Sequence, residues 1–144
     1  MFIGYGSMII AFAFIFTAIK NYRDEYNGGV VSFGKAFQIG LLIALMGSTF
    51  YVIVWMFEYR YVLPDFMENY SAHQLATYKA AGHSAAEISK MKAELDAQTA
   101  AYHNPFVRIA YTYIEVLPVG LLIALIAALI LKRKTPANTV QATA

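Results

Sequence analysis

The chain has no cysteine, which excludes disulfides, thiolate metal ligands and a cysteine nucleophile together. Charge is scarce as well. Asp, Glu, Lys and Arg make up 14% of the residues and the formal net charge is +2, too small and too scattered to build the basic face that a phosphate backbone requires. Nucleic acid is therefore not expected as a partner. Motifs for catalysis are also missing: no nucleophile elbow, P-loop, glycine-rich dinucleotide turn or metalloprotease helix occurs in the 144 residues. His73, His83 and His103 contain no i, i+4 pair, and a predicted helix break separates the first two, so surface positions suit them better than a shared metal ion. Neither an enzyme nor a cofactor or metal site is expected.

What the chain has is hydrocarbon. Hydrophobic residues make up 59% of it and the mean hydropathy is +0.50, above an ordinary soluble domain. Three apolar runs stand out, at 1–19, 36–57 and 109–131, closed by Lys20, by Lys35 and Glu58, and by Arg108 and Lys132. About 20 helical residues at about 1.5 Å each cover the roughly 30 Å hydrocarbon core of a bilayer, so each run is long enough to span it. The first run lacks the basic start and a convincing small-x-small cleavage site of a signal peptide, and its apolar stretch is too long for one. The expected class is all-α: a polytopic membrane protein with three transmembrane helices in one membrane domain, 1–134.

Basic residues of short loops stay preferentially on the cytoplasmic side. The 20–35 loop carries Lys20, Arg23 and Lys35, and the last span ends in Lys132, Arg133 and Lys134, which predicts that both face the cytoplasm. The connection 58–108 mixes five basic with six acidic side chains and is expected outside, periplasmic in a bacterial inner membrane. Trp55, Phe57, Tyr59 and Tyr61 close the second span and Tyr111 and Tyr113 open the third, as an interfacial aromatic belt does.

The inner loop turns at Asn27, Gly28 and Gly29, with Ser32 placed to cap the next helix. The outer segment is punctuated as a helical hairpin over about 64–103. Pro64 suits a first turn, Gly82 a helix end, Ser84 and Glu87 a capping box, and Asn104 with Pro105 a stop. In its second helix Ile88, Met91, Leu95 and Tyr102 recur near helical spacing, apart from Lys90, Lys92, Glu94 and Asp96. The small, polar tail 135–144 is expected to be disordered. Within the membrane, small residues let helix backbones approach. Ala36, Gly40, Ala44 and Ser48 step by four along the second span, and Gly120, Ala124 and Ala128 along the third. These stripes are candidate packing faces.

One acid interrupts the third run. Glu115 falls in the outer third of the span, where an ionised carboxylate needs donors, water or a proton. Ser48, Thr49 and Tyr51 lie at similar depth on the second span and Tyr5 and Ser7 on the first, which makes a polar cluster with Glu115 the candidate site. Pro118 is expected to kink the helix beside it. A clamp between helices is the favoured role, because a pathway for protons or cations normally needs a relay of acids and a second intramembrane acid is absent.

The stretches "GYGSMIIAFAFIFTAIKNYRDEYNGGVVSFGKAFQIGLLIAL", "VLPDFMENYSAH", "GHSAAEISKMKAE" and "EVLPVGLLIALIAALILKRK" occur in order and together cover nearly the whole chain. In them the chain resembles the bacterial domain-of-unknown-function family four-one-nine-nine. The resemblance implies a small multi-pass inner-membrane protein and carries no activity. It also implies a further hydrophobic segment ahead of "GYGSMIIAF", giving four spans with both ends cytoplasmic, whereas Met1 here falls just before that stretch. The expected function is that of a noncatalytic accessory or structural component whose outer hairpin offers an interaction surface. Its expected partners are the lipid bilayer and either further copies of itself or another membrane protein. The alternative is a subunit of a small transporter or ion-conducting homo-oligomer using Glu115.

Overall fold

The computed structural model describes residues 2–134, except for the side chains of residues 2–5, 7, 8 and 11. The tail 135–144, expected to be disordered, lies outside the described residues. The fold is all-α. Its helices are α1 (Phe2–Asn21), α2 (Phe33–Tyr61), α3 (Phe66–Ala80), α4 (Ala85–Tyr102) and α5 (Pro105–Leu131), with a π-helical segment at Tyr22–Tyr26.

Among the described residues two helices, α2 with 29 residues and α5 with 27, are long and apolar enough to cross a membrane. The runs expected at 36–57 and 109–131 lie inside them. Only 22% and 28% of their most apolar stretches are buried, unlike the core helix of a soluble protein. Met46 is 73% exposed, Phe50 70% and Ile114 70%, so the chain leaves these apolar side chains to its surroundings.

The structure divides into two compact units, residues 1–49 with 115–144 and residues 50–114. The core of the first unit is built from Ile15, Ile19, Val31, Ala36, Ala44, Ala124, Ala127 and Ala128. Alanine and glycine allow the close approach. A Cβ on Gly40 would stand 2.8 Å from the Cβ of Ala124, and one on Gly120 would stand 3.0 Å from the Cβ of Ala44. The α2 and α5 segments therefore cross antiparallel, Gly40 facing Ala124 and Ala44 facing Gly120. The same four-residue step sets Ala36 opposite Ala128 and Ser48 opposite Val116, and all four of these residues are buried.

The loop after α1 closes the end of this unit. Gly28 and Gly29 turn it with φ of 65° and 81°, the left-handed region that glycine enters without strain. Ser32 Oγ then accepts from Lys35 N at 3.2 Å and caps α2. Val31 and Arg133 exchange backbone hydrogen bonds of 3.0 and 2.9 Å, pinning the loop to the residues just after α5.

The second unit contains the hairpin. Gly82, with φ of 82°, ends α3, and Ser84 and Glu87 form the expected capping box at the start of α4. Leu95 on α4 and Met67 on α3 are buried, and Ser71 and Thr99 share a 2.8 Å hydrogen bond between the two helices. Two expectations about proline change. Pro64 precedes α3, because Leu63 O accepts from Phe66 N at 3.2 Å in a turn that leaves Asp65 as the N-cap. Pro105 opens α5 as well as closing α4: Asn104 Oδ1 accepts from Phe106 N at 3.0 Å, so only His103 and Asn104 separate the two helices.

Candidate functional site

The residues expected around Glu115 divide between described and undescribed parts. The side chains of Tyr5 and Ser7 lie outside the described residues. Thr49 Oγ1 donates to Leu45 O at 2.8 Å, within its own helix, and Tyr51 is on the exposed side of α2. Ser48 is 2% exposed, and its hydroxyl has no hydrogen-bond partner among the described residues. Glu115 is exposed and makes no hydrogen bond or ion pair among them. The helix explains the difference: successive residues point about 100° apart, so with Val116 buried in the seam Glu115 faces away from it. The structure does not join Glu115 to Ser48. Pro118 lies inside α5, which continues as one helix to Leu131.

A different polar group forms the centre of the hairpin unit. Arg108, in the first turns of α5, is 7% exposed. Its guanidinium carbon lies 3.7 Å from the ring centroid of Tyr59 and 5.7 Å from that of Tyr102. Its Nη2 donates to His103 O at 3.2 Å. Trp55 Nε1 donates to Tyr102 OH at 2.8 Å, and Trp55 meets Phe66 edge to face at 5.0 Å. Arg108 therefore ties the α4–α5 corner to the end of α2, through π faces in place of a carboxylate. Among the described residues Arg108 Nε and Tyr59 OH have no hydrogen-bond partner, although both are buried.

The histidines sit around this hairpin. His103 Nε2 is 3.0 Å from Glu68 Oε1, linking the end of α4 to α3. His83 stacks on Tyr78 with centroids 3.8 Å apart and lies 3.8 Å from Glu87. His73 is exposed. Among the described residues no three His, Asp or Glu side chains converge as a metal would need. Glu87 accepts from the backbone and hydroxyl of Ser84, and these bonds hold its carboxyl below the usual carboxylate range.

Opposite charges meet again in the loop unit. Arg23 is buried to 8% exposure, and its Nε and Nη2 reach the two oxygens of Asp24 at 2.6 and 3.0 Å. Nη1 donates to Leu131 O at 3.3 Å, occupying one of the carbonyls that the end of α5 leaves open. The Arg23 hydrogen bonds lower the Asp24 pKa, and Asp24 in turn raises that of Arg23.

Residue spacing missed the Arg108 and Arg23 contacts. The signal present for Arg108 was an arginine between two tyrosine-rich helix ends with no acid one turn away; for Arg23 the adjacent Asp24 was a local signal, but none pointed to the Leu131 carbonyl, which lies 108 residues on.

A family model described as Protein of unknown function (DUF4199) matches residues 1–133, and the chain belongs to that family. No curated protein and no solved structure matches it.

Proposed function

We propose that this member of the DUF4199 family is a noncatalytic integral membrane protein, a scaffold or accessory subunit. In this reading α1, α2 and α5 cross a bacterial inner membrane, the 20–35 loop and the C-terminus face the cytoplasm, and the α3–α4 hairpin stands on the periplasmic side. The exposed apolar side chains of α2 and α5 support the membrane placement, since lipid covers them at no cost. The observation that carries the role is the stacking of Arg108 on Tyr59. With the Arg108 bond to His103 O and the Trp55 bond to Tyr102, it fixes the hairpin onto the ends of α2 and α5, so that the exposed pairs Lys90–Glu94 and Lys92–Asp96 are presented on a folded support. A preorganised face binds without first being ordered.

The absence of native cysteine makes the topology directly testable. Single-cysteine variants Ser89→Cys and Asn27→Cys are exposed to a membrane-impermeant maleimide in intact cells. Labelling of Ser89→Cys alone supports the orientation, and labelling of Asn27→Cys alone reverses it. For the role, a photo-crosslinking residue at Ala93 is expected to give one discrete adduct with another envelope protein in native membranes. If Ala93, Gln74 and Lys79 all give none, the interaction reading is abandoned.

A second reading rests on Glu115. An acid exposed on an apolar helix, without a partner among the described residues, is costly in lipid, and a neighbouring copy or a water-filled path would relieve it. That is the arrangement of a small ion-conducting homo-oligomer. Proton flux into vesicles that disappears in Glu115→Gln, at unchanged thermal stability, would replace the scaffold reading with this one.

A further inference from the structure

Two adjoining hollows of about 430 Å³ each lie where the 27–35 loop meets the end of α5. They share Val31, Ser32 and Lys134. Phe33 and Leu129 give the first an apolar wall, and both side chains are partly exposed, at 37% and 49%. Cations dominate the rest: Lys132 and Lys134 line the first hollow, and Lys35, Arg133 and Lys134 the second. No carboxylate lines either. Lys35, Lys132 and Lys134 make no ion pair among the described residues; Lys35 instead lies 5.7 Å from the Tyr22 ring. Of the loop acids, Asp24 feels Arg133 but is held in both oxygens by Arg23, and exposed Glu25 lines neither hollow.

We propose that this groove binds the phosphate headgroup of an anionic phospholipid, with Lys35, Lys132 and Lys134 on the phosphate and Phe33 and Leu129 against the first carbons of the acyl chains. The inference rests on the membrane reading above and deepens it. Charge complementarity selects an anion. The apolar wall then selects a lipid over a free anion: Leu129 lies on the last turn of α5 and Phe33 on the first turn of α2, so the groove opens at the ends of the two helices fit to cross a membrane. Basic residues at that depth face the headgroup layer, where anionic lipids concentrate. The backbone exchange between Val31 and Arg133 holds the two halves of the groove together before any lipid arrives.

The test uses the full chain, purified in mild detergent and stripped of lipid. It is titrated with dioleoylphosphatidylglycerol or dioleoylphosphatidylcholine, and adducts are read by native mass spectrometry. Each lysine that contacts the headgroup region contributes about fivefold in affinity, so the glycerol lipid is expected to bind at least about tenfold more tightly than the choline lipid. The variant Lys35→Gln/Lys132→Gln/Lys134→Gln loses that preference, and the matching Lys→Arg variant keeps it. Removing three hairpin charges, Lys79→Gln/Lys90→Gln/Lys92→Gln, leaves it unchanged. Equal binding of the two lipids overturns the proposal. So does an equal loss in the hairpin variant, and so does displacement of the glycerol lipid by millimolar inorganic phosphate, which marks a free-anion site. Alkaline carbonate extraction of the same protein from its membranes separates the two levels: a chain that washes off refutes the membrane reading, while a chain that stays but shows no lipid preference refutes the groove alone.

Discussion

Adding one methyl group at Gly40 tests the helix crossing at its closest point. An alanine Cβ there would lie 2.8 Å from Ala124 Cβ, 3.1 Å from Ala124 Cα and 3.3 Å from Ile15 Cγ2. Carbon atoms in contact prefer about 3.5–4.0 Å, so the backbones must part by roughly 1 Å or the methyl must strain. Neither obstacle on Ala124 can rotate away, because one is a Cβ and the other is main chain. Overpacking of this kind costs about 1–3 kcal/mol. Against it stands the intrinsic helix preference for alanine over glycine, up to about 1 kcal/mol. The net expectation for Gly40→Ala is a loss of up to about 2 kcal/mol, read as a lower unfolding midpoint of the detergent-solubilised chain by circular dichroism. Gly47→Ala in the same helix is the control. A Cβ there meets nothing within 4 Å, so its midpoint should hold or rise slightly. Replacing Ala124 by glycine removes the opposing Cβ, so Gly40→Ala/Ala124→Gly should be more stable than the sum of the two single changes predicts. Gly40→Ala at or above the wild-type midpoint, or strict additivity in the double variant, would refute the seam.

The hairpin unit offers its own probes. Trp55 is the only tryptophan, so its fluorescence reports the Trp55–Tyr102 hydrogen bond directly; Tyr102→Phe is expected to shift the emission and cost about 1 kcal/mol, and an unchanged spectrum would argue against the bond. Arg108→Lys keeps the charge but not the planar stack on Tyr59, and is expected to cost about 2 kcal/mol and to raise hydrogen exchange at the α4–α5 corner; wild-type exchange would argue against stacking. Glu87 has a folded pKa below its unfolded one, so its capping contribution is complete above the ordinary carboxylate pKa and disappears as pH falls through the folded value. The protection factor at the start of α4, exchange measured relative to its intrinsic rate at each pH, should therefore fall on acidification in wild type and be low and nearly flat in Glu87→Ala. An identical acid response in both would reject the capping box as its origin.

The sequence was informative where a physical constraint acts locally. Bilayer thickness fixes how many apolar residues a crossing helix needs, so α2 and α5 could be read from hydropathy, and the capping box at Ser84 and Glu87 needs only neighbours three residues apart. Boundaries were less legible, because a helix continues through polar residues as readily as through apolar ones: α2 runs to Tyr61, past the apolar run ending at Phe57. Tertiary partners were not legible at all. Tyr59, Trp55 and Tyr111 carry the composition of an interfacial belt, and nothing in their spacing says that Trp55 and Tyr59 turn toward Tyr102. Arg108 looked like the boundary charge of a span, whereas its guanidinium lies buried on an aromatic face. Glu115 drew notice because its residue type conflicts with its surroundings, yet which way it faces depends on which neighbour the seam buries.

The two units solve opposite problems with opposite side chains. In the first, small residues let the helix backbones approach closely, and the core consists largely of alanine, with Ile15, Ile19 and Val31 filling its end. In the second, α4 carries charged residues, and Trp55, Tyr59, Phe66 and Tyr102 form an aromatic cluster in which Arg108 is held over the rings of Tyr59 and Tyr102. One consequence separates them experimentally. A one-methyl change is costly in the first unit only at the seam, at Gly40 or Gly120, whereas in the second a change of ring matters more than a change of methyl. The Ser48 hydroxyl lies at the Val116 end of the α2–α5 seam, buried and without a partner among the described residues. Ser48→Ala therefore removes an unpaired polar atom without altering the close approach, and it is expected to leave the chain as stable as before or more so. A clear loss of stability would show instead that the hydroxyl has a bonding partner that the described residues do not include.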